Sequence, residues 1–131
     1  MNILIISQKE FFKELPIIRF NIKNQTTFLQ TMELGKTYNY INKNKMFLDK
    51  DIDLIKQVDA LLVCNFKKGK EENHVSTYCL ILMAIAHSYE KKIYLLYNLP
   101  KKNNKEELES LEPICLDGDL KNLGKITKIK L

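Results

Sequence analysis

Several residue types that build particular kinds of functional site are scarce in this chain of 131 residues. It has no tryptophan, four glycines, three cysteines and two histidines. The cysteines, Cys64, Cys79 and Cys115, are widely spaced, odd in number and form no CxxC motif. That pattern argues against a disulfide framework or a zinc site and indicates buried, reduced thiols. We therefore expect no metal, and no motif calls for a cofactor.

Long apolar runs are missing as well. No run approaches the roughly 20 residues needed to cross a bilayer. The N-terminal stretch, residues 1–6, lacks the basic region of a signal peptide and soon meets polar residues. We therefore expect a cytoplasmic protein with no membrane partner.

Arginine is nearly absent although the chain is basic. Lysine and arginine number 21 against 16 acidic residues, which gives a net charge of +5. Arg19 is the single arginine, whereas surfaces that grip phosphates or read bases favour arginine's bidentate side chain. Anions are attracted at long range by such a charge, but nucleic acid is not the expected partner.

What the chain does contain is an alternation of apolar strands with helices. Runs of β-branched and leucine residues at 2–7, 59–64 and 92–97 predict buried parallel strands. The other predicted elements are a helix at 8–15, an edge strand at 17–22, helices at 26–34, 49–57 and 106–111, and a last strand at 113–116. This alternation predicts a single α/β domain over residues 1–131, with three layers and a mainly parallel five-stranded sheet.

Local signals mark some ends of the predicted helices. Pro16 is expected to end the first helix, and Gly35 is expected to cap the helix at 26–34. The acidic residues Asp49, Asp51 and Asp53 stand at the start of the helix at 49–57, where the macrodipole favours negative charge. A structural role is therefore expected for these three carboxylates.

The helix predicted at 76–90, with Ser76 as its N-cap, is unusually apolar. Over residues 78–86 it is apolar on every side, so the sheet can cover only one of its faces. A second copy of the chain is the simplest cover for the other face. The sequence therefore predicts a homodimer through helix 76–90.

Residues 58–120 resemble the nucleoside 2-deoxyribosyltransferase-like family of small flavodoxin-like proteins. The matching residues, in order, are 58–65, Gly69, Asn73, Ala86, 91–96, 112–114 and 117–120. The resemblance implies a flavodoxin-like fold and a nucleoside or nucleotide ligand held at Ser7, Asn65, Gly69 and Ser76. Tyr78, in the first turn of the helix, is the tyrosine best placed to stack on a nucleobase.

The chain lacks the residues on which catalysis in this family depends. Family members carry a glycine-rich turn before the helix and, two turns inside it, a glutamate that attacks the anomeric carbon. Here residues 74–77 replace the turn, and Leu82 stands at the glutamate position. The resemblance therefore implies a catalytically degenerate member, which binds a nucleoside-like ligand or acts as a dimeric interaction module.

A second hypothesis keeps an activity. Glu71 and Glu72 lie in the loop before the helix, and His74 is available as a base. Relocated carboxylates of this kind would make the chain an active hydrolase or transferase for N-glycosidic bonds of nucleosides or nucleotides. The simpler interpretation is that residues 67–72 form a solvated loop.

Overall fold

The strands form where apolar residues run without interruption. The computed structural model describes residues 1–30 and 43–123. Its strands are β1 (Asn2–Ile6), β2 (Thr26–Leu29), β3 (Ala60–Val63), β4 (Lys92–Leu95) and β5 (Ile114–Cys115). They make one sheet in the order β2-β1-β3-β4-β5, and every neighbouring pair is parallel. This is the order of flavodoxin-like sheets, so the predicted α/β fold with a five-stranded parallel sheet is confirmed.

The helices cover both faces of this sheet. They are a 3₁₀ helix (Lys9–Glu14), α1 (Leu15–Asn21), α2 (Lys43–Gln57), α3 (Thr77–Ser88) and α4 (Lys105–Ser110). No helix in the described part of the chain is both long and apolar enough to span a membrane. The Ser76 side chain accepts a hydrogen bond from the Cys79 N–H and caps α3, which confirms the predicted N-cap.

Successive side chains along each strand point to opposite faces, and the sheet therefore has two apolar cores. In β1, Leu4 and Ile6 face α2, α3 and α4, whereas Ile3 and Ile5 face α1. Both sets are fully buried. A strand buried on both faces must be apolar throughout, which explains why β1, β3 and β4 were recognisable from sequence.

The structure overturns the predicted edge strand at 17–22. Residues 17–21 of that segment belong to α1, and Pro16 stands in the first turn of this helix rather than ending one. Proline is well tolerated there because the first N–H groups of a helix have no partner within it and the fixed φ suits helical geometry.

The helix predicted at 26–34 is also wrong over its described part, since Thr26–Leu29 forms the edge strand β2, and residues 31–34 lie outside the described residues. Exposure alternates along β2: Phe28 is exposed, and Leu29 packs against the core under α1. The period of two and the paired threonines favour a strand, which outweighs the helical spacing of the apolar residues. The predicted cap at Gly35 lies outside the described residues.

Tyr94 of β4 offers a test of packing in the core under α1. Its side chain is fully buried, and its hydroxyl has no hydrogen-bond partner within residues 1–30 and 43–123. Burial raises the pKa of Tyr94, so the group stays a neutral phenol. An unpaired buried hydroxyl costs roughly 1–3 kcal/mol. We therefore expect Tyr94→Phe to raise the free energy of unfolding by about 1 kcal/mol, measured by urea denaturation.

A matched control is Tyr97→Phe, because the Tyr97 side chain is 38% exposed and its hydroxyl can bond to water. This variant should leave the free energy of unfolding unchanged. A clear loss of stability in Tyr94→Phe would contradict the interpretation, since it would mean that the buried hydroxyl has a bonded partner.

Candidate functional site

The predicted ligand-binding residues gather at the carboxyl ends of β1 and β3. The strand order changes direction between these two strands, and in open α/β sheets ligands bind at such a point. Ser7 directly follows β1, Asn65 comes two residues after β3, and Ser76 and Tyr78 begin α3. The structure thus brings the predicted positions to one edge of the sheet, here called the carboxyl edge.

Asn65 is completely buried at this edge, and both its amide nitrogen and its amide oxygen form hydrogen bonds within the protein. The Nδ2 group donates to the Asn98 carbonyl at 2.8 Å, and Oδ1 accepts from the Tyr97 N–H at 2.9 Å. These bonds tie the end of β3 to the chain that leaves β4. A contact between Asn65 and a ligand stays a prediction.

Ser7 plays a similar part between β1 and β2. Its N–H donates to Gln30 Oε1 at 3.1 Å, and its hydroxyl donates to the Gln8 carbonyl at 2.9 Å. Ser7 and Gln30 are both buried. The Gln30 side chain therefore joins the carboxyl ends of the two strands through the Ser7 backbone.

Tyr78 is bonded to a buried carboxylate that the sequence did not single out as functional. Its hydroxyl donates to Asp51 Oδ2 at 2.6 Å, and Asp51 is only 1% exposed. Burial first, and then the bond to Asp51, raise the pKa of Tyr78, so the phenol remains a neutral donor. The pair joins the first turn of α3 to the middle of α2.

Asp51 was missed because the start of α2 was misplaced. The helix begins at Lys43 and has no acidic residue in its first turn, so the expected role of its three carboxylates at a helix start is wrong. Asp51, Ile55 and Val58 follow one another at helical spacing, and the two apolar residues lie in the core. A carboxylate on an apolar helix face was the signal in the sequence.

The loop between β3 and α3, residues 65–75, is folded back on itself. Lys68 and Glu71 exchange two backbone hydrogen bonds of 2.9 Å, and the His74 N–H donates to the Phe66 carbonyl at 3.1 Å. Gly69, at the turn, has a φ of +59° and no atom within 4 Å of where a Cβ would stand. The left-handed backbone conformation, and not a lack of space, therefore favours glycine at this position.

Side chains fasten this loop to the segments on either side. Lys68 Nζ lies 3.5 Å from Glu10 Oε1, and the rings of Phe66 and Phe11 are 5.4 Å apart. On the other side, Asn73 Nδ2 donates to the Leu99 carbonyl at 3.4 Å. The loop therefore crosses the carboxyl edge from the β1 side to the β4 side.

Two of the three catalytic candidates lie together. His74 Nδ1 is 2.9 Å from Glu71 Oε2, and Asn103 Nδ2 donates to Glu71 Oε1 at 2.7 Å. The bond from Asn103 first, and then the contact with His74, lower the pKa of Glu71. Glu72 points elsewhere: its side chain is 64% exposed and lies 3.7 Å from Lys67 Nζ.

The lowered pKa of Glu71 predicts a dependence of stability on pH. A carboxylate whose pKa falls below its ordinary value of 4.5 stabilises the folded state fully above that value, and loses this contribution as the pH falls through the lowered value. The free energy of unfolding of wild type should therefore exceed that of Glu71→Gln at neutral pH, and the difference should shrink in acid. Urea denaturation from pH 7 to pH 3 measures it.

Glu107→Gln provides the control. Glu107 is an exposed residue of α4, so this substitution removes the same charge at a site outside the loop. Its difference from wild type should be small at every pH. A Glu71→Gln difference that is equally large at all pH values would contradict the assigned ionisation.

The position of the family's nucleophile and the two buried cysteines provide no nucleophile. Leu82 is fully buried in the core under α3. Cys64 is buried behind β3, and burial raises its pKa, which keeps the thiol protonated. Burial likewise raises the pKa of Cys79 to about 11. None of these side chains offers an anion for attack.

The described part of the chain contains no metal site, and it has a cavity away from this edge. No three His, Cys, Asp or Glu side chains within it are close enough to hold a metal ion. A cavity of about 260 Å³ is present near the amino ends of the strands, lined by residues 21–25 and by Leu120, Lys121 and Leu123.

The sheet order and the site at its carboxyl edge define a flavodoxin-like α/β protein. The structure is similar over the full length of both chains to a CMP N-glycosidase of Clostridium botulinum, BcmB, with a TM-score of 0.59 and 18% sequence identity. At this identity the likeness shows the fold. No protein-family profile matches the sequence, and no curated protein matches it.

Proposed function

We propose that this chain binds a nucleoside- or nucleotide-like ligand at the carboxyl edge and is a catalytically degenerate member of the nucleoside 2-deoxyribosyltransferase-like family. Residues 1–131 act as a single domain in this proposal. A ligand of this kind is supported by the sequence resemblance and by the likeness to a CMP N-glycosidase. A ligand site at the carboxyl edge is supported by the polar side chains around the start of α3, which are those of Tyr78, Asp51 and His74.

The observation that carries the loss of covalent chemistry is the burial of Leu82. A nucleophile must reach the anomeric carbon of a bound sugar. Leu82 has no ionisable group and no exposed surface. The chain therefore forms no glycosyl-enzyme intermediate at this position.

A thermal-shift screen tests the binding proposal. Cytidine, CMP and the other common nucleosides and nucleoside monophosphates are added at millimolar concentration. A ligand that binds only the native state stabilises it by roughly 2.7 kcal/mol at a hundredfold excess over Kd, so an increase in Tm is expected with at least one class. The absence of a shift with all of them would overturn the proposal.

The same assay locates the ligand. Asp51→Asn changes the carboxylate under α3 and is expected to reduce the ligand-induced shift. The double variant Lys23→Ala/Lys121→Ala changes the cavity at the amino end and should leave the shift intact. The opposite result would place the ligand in that cavity and contradict the proposed site.

We also propose a homodimer through α3. Cys79, Leu82, Met83 and Ala86 are buried within the domain, so the domain itself covers this side of the helix. Its uncovered side contains Ala84 and Ile81, the latter 43% exposed. A second copy would bury this side in a two-fold symmetric contact, in which each residue meets the same surface of its partner.

Ile81→Glu is therefore expected to shift the chain from dimer to monomer in sedimentation equilibrium, because the contact would bury two unpaired carboxylates. Ile17→Glu makes the same change on α1, at a residue that is 63% exposed on the other layer. This control should remain a dimer. A wild-type chain that stays monomeric at 100 μM would contradict the proposal.

A second candidate function, an N-glycosidic-bond hydrolase with relocated carboxylates, is favoured by one observation. The 2.9 Å contact between Glu71 and His74 pairs a carboxylate with an imidazole at the carboxyl edge. Such a pair can accept a proton from water. Release of free base from a nucleoside or nucleotide, followed by chromatography, tests this function.

A further inference from the structure

The two nitrogens of the His74 ring lie in different surroundings. Nδ1 is 2.9 Å from Glu71 Oε2, and the other carboxylate oxygen accepts a 2.7 Å bond from Asn103. An ionised carboxylate only accepts hydrogen bonds, so in the neutral imidazole the proton belongs on Nδ1. Nε2 then has the lone pair and is the basic nitrogen.

Nε2 is also available for a new contact. It has no partner among the residues that the structure describes, and the His74 side chain keeps 16% of its surface exposed. Its backbone is fixed by the bond from the His74 N–H to the Phe66 carbonyl. The Nδ1 contact therefore orients the ring on a fixed backbone, and the acceptor atom Nε2 is left available.

The position of His74 places this acceptor near the proposed ligand. It stands two residues before Ser76, the cap of α3, at the edge where the strand order changes direction. Asn103 reaches Glu71 from the segment between β4 and α4, 32 residues away in the chain. A contact between distant segments that orients one carboxylate is typical of a group that positions a base.

We propose that His74 is the general base for direct attack of water on an N-glycosidic bond, with Glu71 and Asn103 as positioning residues. This inference rests on the proposed nucleoside-like ligand and deepens the second candidate function in place of the first. In it, the chain has lost only the family's covalent mechanism and keeps a hydrolytic activity. Water gives a proton to Nε2 while its oxygen forms a bond to the anomeric carbon. The carbon–nitrogen bond breaks and its electron pair stays on the nucleobase, which takes a proton from solvent on the opposite face of the sugar. His74 Nε2 then returns its own proton to solvent. One displacement inverts the anomeric configuration.

The test measures base release from CMP, cytidine and the other nucleoside monophosphates by wild type and variants. His74→Gln should lower the rate by about 10²- to 10⁴-fold, the usual contribution of a general base. Glu71→Gln and Asn103→Ala should lower it less. His87→Gln changes the other of the two histidines, which is exposed in the last turn of α3, and should keep the full rate, as should Glu107→Gln.

Two further readouts separate catalysis from a merely structural role of the cluster. Nitrogen-15 NMR should find the Nδ1–H tautomer for His74 in wild type and a loss of that preference in Glu71→Gln. With methanol as the acceptor, the methyl glycoside should have the inverted configuration. A retained configuration would require a covalent intermediate and would overturn the inference.

The remaining outcomes distinguish this inference from the binding proposal. A ligand that raises Tm but is never cleaved overturns the role of His74 and leaves binding intact. Cleavage that is unchanged in His74→Gln overturns it as well. If no ligand raises Tm and none is cleaved, both proposals fail.

Discussion

Leu82→Glu is expected to unfold the domain rather than to restore a catalytic residue. Leu82 has no exposed surface and lies in the core between the sheet, α2 and α3. Removing a buried leucine side chain costs about 2–5 kcal/mol, and an unpaired buried carboxylate adds several more. Together these costs approach the roughly 5–15 kcal/mol that holds a domain folded. Far-UV circular dichroism and thermal denaturation measure the result.

The neighbouring position supplies the control for this prediction. Ile81→Glu introduces the same side chain one residue earlier, at a position that is 43% exposed, and should keep the helical signal. Leu82→Met, which conserves volume and polarity, should cost less than about 1.5 kcal/mol. A folded Leu82→Glu variant with nearly native stability would contradict this prediction. It would show that residue 82 can reach a cleft, and a covalent mechanism at this position would again be possible.

The parts of the fold that sequence predicts well are those with long, unmixed signals. Apart from their first residues, Asn2 and Lys92, β1 and β4 are buried on both faces, as is the whole of β3, so these positions are constrained to be apolar. Residues 17–21 and 26–29 were assigned the wrong type of element. There Pro16 suits either the start or the end of a helix, and the four-residue strand β2 is too short for its period to stand out.

The candidate site shows a different limit. Its positions were predictable because strand ends and a helix cap are local features, as at Asn65 and Ser76. The hydrogen-bond partners of the site residues were not predictable. Asn65 bonds to residues that follow it by 32 and 33 positions, and Asn103 bonds to Glu71 across 32 positions. Hydrogen bonds between distant residues produce no periodic pattern in the sequence. They nevertheless determine which polar groups are already bonded within the protein and which remain available to a ligand.

Asn65→Ala is expected to lower the free energy of unfolding by about 2–4 kcal/mol. The Tyr97 N–H loses its 2.9 Å acceptor and the Asn98 carbonyl its 2.8 Å donor. Each buried polar group left without a partner costs roughly 1–3 kcal/mol, and the truncated side chain leaves a void at a fully buried position. Urea denaturation measures the change. Asn21→Ala, at an exposed residue that ends α1, should stay within about 0.5 kcal/mol of wild type.

The same variant separates the two roles that Asn65 can have. If its amide only joins the ends of β3 and β4, the ligand-induced increase in Tm should survive in the fraction that folds, because the loss is shared by the free and the bound protein. Asn65→Asp sharpens the comparison, since it keeps an acceptor for the Tyr97 N–H but removes the donor to Asn98 and buries a charge. A variant that folds with native stability yet no longer responds to ligand would contradict the structural role and make Asn65 a ligand-binding residue, as the resemblance implies.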